Sequence, residues 1–291
     1  MLHFIYNPIA GKGKSRRFYE RLTAMLSAKG LPHRFHETSG PGEAKEIARR
    51  LTAPGGGVPD IVAMGGDGTL NEVLNGLRDP AEARLGIMPC GSGNDFAAAA
   101  GIPDTPEGAL GLLTEGEAKY TDYMECAGVR GINVIGTGID VDILRRYNRM
   151  KVLKGSAAYL ASLILTLMTY RPRRFSEIMD GGERPHQAFI ACAGNGQCIG
   201  GGIPICPEAR IDDGLMDIVI VDDIRRARIP GAFVKLLKRQ IMALPTTCFR
   251  RDARLRIRSG APMPIQIDGE IYEDLPFDVR LVSGALRVYR P

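Results

Sequence analysis

Three glycine-rich segments each follow a short apolar run in the first half of this chain. They read NPIAGKG at 7–13, GGDGT at 65–69 and PCGSGND at 89–95. Strand-length apolar runs alternate here with helical periodicity, and this alternation with short connections indicates a parallel sheet covered by helices. Ligands of such sheets bind beyond the carboxyl ends of the strands. The three segments therefore predict one shared binding site at that edge.

The individual runs in this half predict a regular order of elements. Strands are predicted at 2–7, 33–38, 60–65 and 84–89, and helices at 15–29, 43–51, 70–77 and 94–100. We therefore expect a doubly wound parallel α/β domain over residues 1–125. Residues 284–291 are a candidate addition to it.

The pattern changes from about residue 126 onward. Short alternating runs, separated by Gly, Pro and Asp, lie at 132–143, 186–195, 215–221, 253–259, 263–272 and 277–290. Helical periodicity interrupts them near 155–170 and near 230–244. Residues 126–283 are therefore predicted to form a second, mostly β domain.

The positive charge of the chain belongs to its second half. The formal net charge is +5, made up of −3 over residues 1–125 and +8 over residues 126–291. We find no zinc finger and no basic helix with interleaved aromatics, so nucleic acid is not an expected partner. An anionic membrane surface is the alternative partner, and a solvated basic face is the simpler interpretation.

The helical segment near 155–170 is too short and too mixed in composition to span a bilayer. Its apolar stripe consists of Leu160, Leu163, Ile164 and Leu167, and basic residues flank it at Lys151, Lys154, Arg171, Arg173 and Arg174. The pattern fits a membrane-surface helix, but a core helix with solvated basic ends is the favoured interpretation.

Composition narrows the class of protein. Hydrophobic residues make up 44% of the chain, which is enough for a sizeable core. The six cysteines form no Cys-x-x-Cys pair, so we expect reduced thiols and no zinc site. The first 40 residues show no basic start followed by an apolar signal core, so export is not expected.

The glycine segments do not match two familiar phosphate-binding motifs. From Gly66 the sequence places Asn71 where the dinucleotide fingerprint needs its third glycine, and Pro8 stands where a P-loop needs its first. Consecutive glycine N–H groups that lead into a helix N-terminus can still form a binding site for a phosphate group. A carboxylate at Asp67 would then require a divalent cation between it and the phosphate. The alternative is a tight turn in which Asp67 caps the helix.

Five motifs stand together in a recognisable order. They are NPIAGKG, GGDGTLNEV, PCGSGNDFA, ARIDDGLMD and IDGE. This set resembles the diacylglycerol kinase and sphingosine kinase superfamily over nearly the whole chain, although GGDGT alone also fits NAD kinases and is similar to the GGDGS of phosphofructokinases. The resemblance implies a kinase with an N-terminal α/β domain, a C-terminal β-sandwich, and ATP bound between them.

The resemblance also implies site residues. The ATP-binding set would be Asn7, Pro8, Gly11, Thr38, Gly65, Gly66, Asp67, Gly68, Thr69, Asn71, Glu72, Gly91, Ser92 and Asn94. Asp67 would act on the Mg²⁺ that ATP carries, and Asp268 or Glu270 would take the proton of the acceptor hydroxyl. A structural Mg²⁺ would be held by Arg210, Asp213 and Leu215. Simple turns are the alternative interpretation of both acidic motifs in the second half.

The expected function is ATP-dependent phosphorylation of a membrane lipid. Diacylglycerol, giving phosphatidic acid, is the main expectation. A sphingoid base, a polyprenol or another lipid is the alternative, as is a soluble substrate of the NAD kinase type or a silent lipid or nucleotide sensor. We expect a cytoplasmic enzyme that contacts the inner membrane surface peripherally. The oligomeric state is open, with a homodimer among the alternatives.

Overall fold

The computed structural model describes residues 1–55, 57–149 and 156–291, and for residues 156–160 it describes the backbone only. The predictions that concern Lys151, Lys154 and the side chain of Leu160 therefore lie outside the described residues. The chain divides into two compact units. The first comprises Met1–Tyr123 with Ser283–Pro291, and the second comprises Met124–Val282.

The strands and helices have the following bounds. The strands are β1 (Leu2–Tyr6), β2 (His33–Glu37), β3 (Asp60–Gly65), β4 (Arg84–Pro89), β5 (Ala118–Cys126), β6 (Val129–Gly131), β7 (Val134–Gly138), β8 (Arg173–Met179), β9 (Gly182–Gly194), β10 (Met216–Asp222), β11 (Thr247–Asp252), β12 (Arg254–Arg258), β13 (Ile265–Ile267), β14 (Glu270–Tyr272) and β15 (Asp278–Tyr289). The helices are α1 (Lys14–Ala28), α2 (Glu43–Leu51), α3 (Asp67–Gly76), α4 (Asp95–Ala99), α5 (Pro106–Glu115), α6 (Ile139–Arg149), α7 (Ser156–Thr169) and α8 (Ile229–Leu237). Short 3-10 turns lie at Ala10–Gly13, Pro80–Glu82, Arg226–Arg228 and Ile241–Ala243.

The first unit is built on a parallel sheet. Its first four strands run in the order β2, β1, β3, β4, and the end of β15 adds parallel to β4 through Arg287 opposite Arg84. Every residue of β3 is buried, as expected for a strand covered on both faces. Helix α2 places Ala44, Ile47 and Ala48 against this core at helical spacing.

The second unit is β-rich and mainly antiparallel. Strand β9 pairs with β7, β8 and β10, while β13 joins β7 and β12 joins β8. Its core includes Met124, Phe175, Ile218 and Leu255. The prediction of a parallel α/β domain followed by a β-rich domain is confirmed by these two sheets.

Several local predictions were wrong. The run at 132–143 was expected to be a strand, but β7 ends at Gly138 and α6 begins at Ile139. The apolar residues of this segment alternate over a short distance, and both Ile139 and Ile143 still face the core when the segment is helical. Helix α3 begins at Asp67 rather than Leu70. Elements α5, β5, β6, β8 and β11 were not predicted.

No helix within the described ranges is long and apolar enough to cross a membrane. Helix α7 is largely apolar, and its 14 residues are too few to span a bilayer.

A polar cluster ties the C-terminal strand into the first unit. The hydroxyl of Tyr289 donates to Asp60 Oδ1 at 2.7 Å, and the Arg84 guanidinium donates to both Asp60 oxygens, at 2.6 and 2.9 Å. Asp60 and Tyr289 are each 9% exposed. Burial and the Asp60 carboxylate together raise the pKa of Tyr289 to about 12, so its hydroxyl remains a donor.

We expect Tyr289→Phe to lower the free energy of unfolding by about 1–2 kcal/mol, because a buried hydrogen bond to a charged group is lost while Arg84 still holds Asp60. Urea unfolding followed by circular dichroism measures the effect. Tyr120→Phe is the matched control, since Tyr120 is 67% exposed. Equal unfolding midpoints for the two variants would contradict the structural importance of this bond.

Candidate functional site

The three glycine segments of the first unit pack backbone against backbone. A Cβ added at Gly91 would lie 2.5 Å from the Cα of Gly66, and one added at Gly11 would lie 1.9 Å from the carbonyl oxygen of Cys90. The N–H groups of Cys90 and Gly91 both donate to the carbonyl of Gly65, at 2.7 and 3.1 Å. Side chains at these positions would separate the segments, so glycine is required for the close approach.

Asp67 joins two of these segments. Its Oδ2 accepts the backbone N–H of Asn94 at 2.7 Å, and the N–H groups of Asp95 and Phe96 also favour its ionised form. Burial has the larger effect and raises the pKa of Asp67 above its ordinary value. The N-cap residue of α3 is Gly66, which has no side chain that could cap the helix. The carboxylate of Asp67 therefore holds the start of α4.

Two further residues of the predicted ATP set hold neighbouring loops. Asn7 Nδ2 donates to Thr69 Oγ1 at 3.2 Å, which links the segment after β1 to α3. The Glu72 carboxylate accepts the N–H groups of Gly42 and Ala44, at 2.9 and 3.1 Å, at the start of α2. A carboxylate at a helix N-terminus satisfies donors that have no intrahelical partner.

The rest of that set lies on the same edge. Thr38 is buried, and its N–H donates to the carbonyl of Tyr6 at 2.9 Å. Asn71 is buried, while Pro8 is only half-buried. Gly68 and Ser92 are exposed, and a Cβ added at Gly68 would meet nothing within 4 Å. The first turn of α3 thus presents N–H groups beside open space, which suits an anion.

The two carboxylates of the IDGE motif have different surroundings in the second unit. Asp268 Oδ1 accepts the N–H groups of Asn133 and Val134, at 2.9 and 3.1 Å, and Oδ2 accepts that of Ile132 at 2.7 Å. Asp268 has a positive φ of 48°, a conformation that Asp tolerates better than most residues. Glu270 is exposed at the start of β14. Asp268 thus holds the segment before β7, and Glu270 faces solvent.

The predicted metal loop is a tight turn that precedes β10. Asp213 Oδ1 accepts the N–H of Leu215 at 3.1 Å across Gly214, whose φ is 75°. Arg210, Asp213 and Leu215 are all exposed. A carboxylate and backbone carbonyl oxygens are ligands that Mg²⁺ accepts, so the donor set fits the ion.

An apolar cavity in the second unit was not predicted from the sequence. It measures about 90 Å³ and lies between α6, α7, α8 and β9, with Ile143, Leu163, Phe189 and Phe233 in its wall. Asp140 is the only charged residue that lines it within the described part of the chain. Dry apolar cavities of about 150 Å³ accept benzene, so this smaller one has room for no more than a short length of hydrocarbon.

Asp140 is a candidate functional residue that the sequence analysis missed. It is 2% exposed, its Oδ1 accepts the N–H of Val141 at 2.9 Å, and the side-chain amide of Gln266 also favours its ionised form. Burial raises its pKa to about 7. A helical interpretation of 139–143 would have revealed it as an acidic residue on an apolar helix face.

Comparison with known proteins identifies the family. The family model described as the diacylglycerol kinase catalytic domain matches residues 1–126, and the YegS C-terminal NAD kinase beta sandwich-like domain matches residues 133–290. The chain belongs to the diacylglycerol kinase and YegS-like family of lipid kinases. It is therefore a lipid kinase, a phosphotransferase that uses ATP.

Individual relatives agree with this assignment. The kinase is 33% identical to a Xanthomonas campestris protein named probable lipid kinase YegS-like, over 97% of this chain and 94% of the relative. It is 29% identical to a protein of Mycobacterium tuberculosis named diacylglycerol kinase, over 98% and 93% of the two chains. In fold, it is similar to a crystal structure of a Bacillus anthracis diacylglycerol kinase, with a TM-score of 0.73, 22% identity and coverage of 100% and 96%.

We expect Gly91→Ala to lower the stability of the kinase by about 1–3 kcal/mol, because the added methyl group must displace the backbone at Gly66. Gly68→Ala is the matched control in the same site, since its methyl group enters open space at the start of a helix. Chemical denaturation of both variants measures the difference. Equal losses would show that the glycine segments are not in backbone contact.

The buried carboxyl of Asp140 predicts a pH dependence of stability. Its pKa of about 7 in the folded state lies above the unfolded value near 4, so the folded state binds more protons between these values. The unfolding free energy therefore falls as pH rises through this window, by up to about 4 kcal/mol from this group. We expect Asp140→Asn to remove that fall.

Urea unfolding of the wild type and of Asp140→Asn at a series of pH values measures this contribution. Asp104→Asn, at an exposed position, is the control that should keep the wild-type slope. Parallel stability curves for the wild type and Asp140→Asn would contradict the assignment.

Proposed function

We propose that this lipid kinase transfers the γ-phosphate of ATP to the free hydroxyl of diacylglycerol and forms phosphatidic acid. The observation that carries the proposal is the apolar cavity with Asp140 in its wall, in the β-rich unit of a lipid kinase. The M. tuberculosis relative named diacylglycerol kinase supports the choice of acceptor. In this proposal a short part of one acyl chain enters the cavity, and that hydrocarbon is removed from water.

ATP is proposed to bind at the glycine segments of the first unit. The N–H groups in the first turn of α3 and the exposed hydroxyl of Ser92 are placed to contact its phosphates, and Gly68 leaves room for them. Mg²⁺ supplies neutralisation of the phosphate charge when it is bound with ATP. Asp67 would hold it through a carboxylate that is already fixed by Asn94.

Glu270 is the proposed general base. It takes the proton as the acceptor O–H bond breaks, the oxygen forms a bond to the γ-phosphorus, and ADP leaves as the bond to the β-phosphate oxygen breaks. Asp268 is less suited to this task because three backbone N–H groups occupy its oxygens. It is proposed to position the loop that carries Glu270.

Peripheral contact with the anionic inner leaflet is also proposed, in keeping with a cytoplasmic enzyme. The net charge of +8 in the second half of the chain favours approach to an acidic surface. Helix α7 exposes Ile164, Leu165 and Met168, with Met168 at 70% exposure. Apolar side chains beside basic residues are the usual composition of a membrane-surface segment.

The choice of acceptor is tested by phosphorylation with labelled ATP over a lipid panel, read by thin-layer chromatography. Diacylglycerol in vesicles should be labelled faster than a sphingoid base, a polyprenol or NAD. Preferential labelling of another lipid would replace diacylglycerol as the acceptor. Labelling of NAD without vesicles would overturn the assignment of a membrane substrate.

The base assignment predicts opposite defects for two neighbouring variants. Glu270→Gln should lower kcat by about 10²–10⁴-fold and leave ATP affinity and the unfolding midpoint unchanged. Asp268→Asn should lower the unfolding midpoint, because an amide cannot accept all three N–H bonds equally well. Calorimetry with ATP, thermal unfolding and the lipid assay separate these effects. A near-normal kcat in Glu270→Gln would exclude it as the base.

A further inference from the structure

A second cavity in the β-rich unit is lined mainly by arginines. It measures about 770 Å³ and is bordered by α6, the end of α7 and the start of β8. Its charged residues are Arg145, Arg146, Arg149, Arg171, Arg173 and Asp142. We call this cavity the arginine cleft. Five cations face one carboxylate, so the cleft carries a positive charge that its own walls do not balance.

Ion pairs with carboxylates neutralise only part of the positive charge of the arginine cleft. Asp142 lies 3.6 Å from Arg145 and 3.3 Å from Arg173, and Arg145 also pairs with Glu273. Within the described residues, no carboxylate lies at ion-pair distance from Arg146, Arg149 or Arg171. Unpaired guanidinium groups brought together in a concave site are suited to binding the oxygens of a phosphate.

The neutral residues of the cleft wall point to the same ligand. Tyr170 is 7% exposed, and its hydroxyl lies beside the Arg173 guanidinium, which can only donate to it, so the hydroxyl proton has no acceptor in the described part of the chain. Burial raises the pKa of Tyr170, which keeps the hydroxyl a donor. Arg146 is oriented by a hydrogen bond from its Nε to Thr166 Oγ1 at 3.1 Å. A buried phenol normally finds an acceptor, and a phosphate oxygen in the cleft would supply one.

The position of the cleft on α7 favours a phosphate that belongs to a membrane. Thr166 and Tyr170 line the cleft, whereas Ile164, Leu165 and Met168 of the same helical stretch are exposed apolar residues. A free anion would gain nothing from these side chains. A lipid bilayer would cover them while its headgroups meet the arginines.

We propose that the arginine cleft binds the phosphate of an anionic phospholipid headgroup while the exposed apolar residues of α7 enter the lipid layer. This inference rests on the proposed membrane contact of the lipid kinase and names the site and the ligand chemistry of that contact. The cleft is separate in its lining from the apolar cavity proposed for the acyl chain. Its ligand is a lipid of the surrounding membrane, so binding requires neither ATP nor turnover.

The test is sedimentation of the protein with vesicles in the absence of ATP. Phosphatidylcholine vesicles are compared with vesicles that also contain phosphatidylglycerol. The variants are Arg149→Gln with Arg171→Gln in the cleft, and Arg184→Gln with Arg280→Gln as a control of equal charge on exposed strand positions outside it. Thermal unfolding checks that both double variants remain folded.

We expect binding to the phosphatidylglycerol vesicles to weaken about 30-fold in the cleft variant, at about 1 kcal/mol for each arginine near the surface. The control should lose much less. Equal losses in the two double variants, or no loss in either, would overturn the proposal. Met168→Gln should also weaken binding to the vesicles. An unchanged affinity in that variant would contradict the proposed insertion of the apolar residues of α7 into the lipid layer.

A competition arm separates the lipid headgroup from a free anion. Inorganic phosphate is added at constant ionic strength, and it should displace the vesicles only weakly. Strong displacement would assign the cleft to a soluble phosphate compound and overturn the membrane assignment. These measurements do not depend on phosphorylation, so failure of the lipid panel to yield a product leaves their interpretation unchanged.

Discussion

The close approach of glycine backbones at the carboxyl edge of the parallel sheet is the constraint on which the first unit depends. Gly66 and Gly91 are in contact without side chains between them, and Gly11 lies against the carbonyl of Cys90. This approach brings the N-terminus of α4 to the carboxylate of Asp67, which accepts the Asn94 N–H. The glycines therefore determine where the acidic residue and the helix ends lie, before any ligand is considered.

Acidic residues in both units hold one loop against another through backbone N–H groups. Asp67 does so for the start of α4, Glu72 for the start of α2, and Asp268 for the segment before β7. Because the oxygens of these three carboxylates already accept hydrogen bonds from the backbone, they fix the positions of the neighbouring loops. Glu270 is exposed at the start of β14, and it is the proposed base.

Helices α6 and α7 give the second unit two cavities of opposite chemistry. Ile143 and Leu163 line the apolar cavity, and Arg146 and Thr166 line the arginine cleft. The two linings adjoin on these helices, because Ile143 and Arg146, and likewise Leu163 and Thr166, are three residues apart and lie close together on the helix surface. A phospholipid membrane offers hydrocarbon and phosphate together, and the two cavities match these two components in one pair of helices.

The sequence by itself determined that an α/β domain precedes a β-rich domain, because strand and helix periodicity are local patterns. It also determined the family, because the glycine motifs are local patterns too. The tertiary structure decided what the sequence left open or misassigned. Ile139 to Ile143 became helical because the core accepts its apolar residues in that form, and Asp140 was thereby buried in an apolar wall. The different surroundings of Asp268 and Glu270 likewise depend on the chain from Ile132 to Val134, which lies far away in sequence. Burial and long-range hydrogen bonds are properties of the packed chain, so no local pattern could supply them.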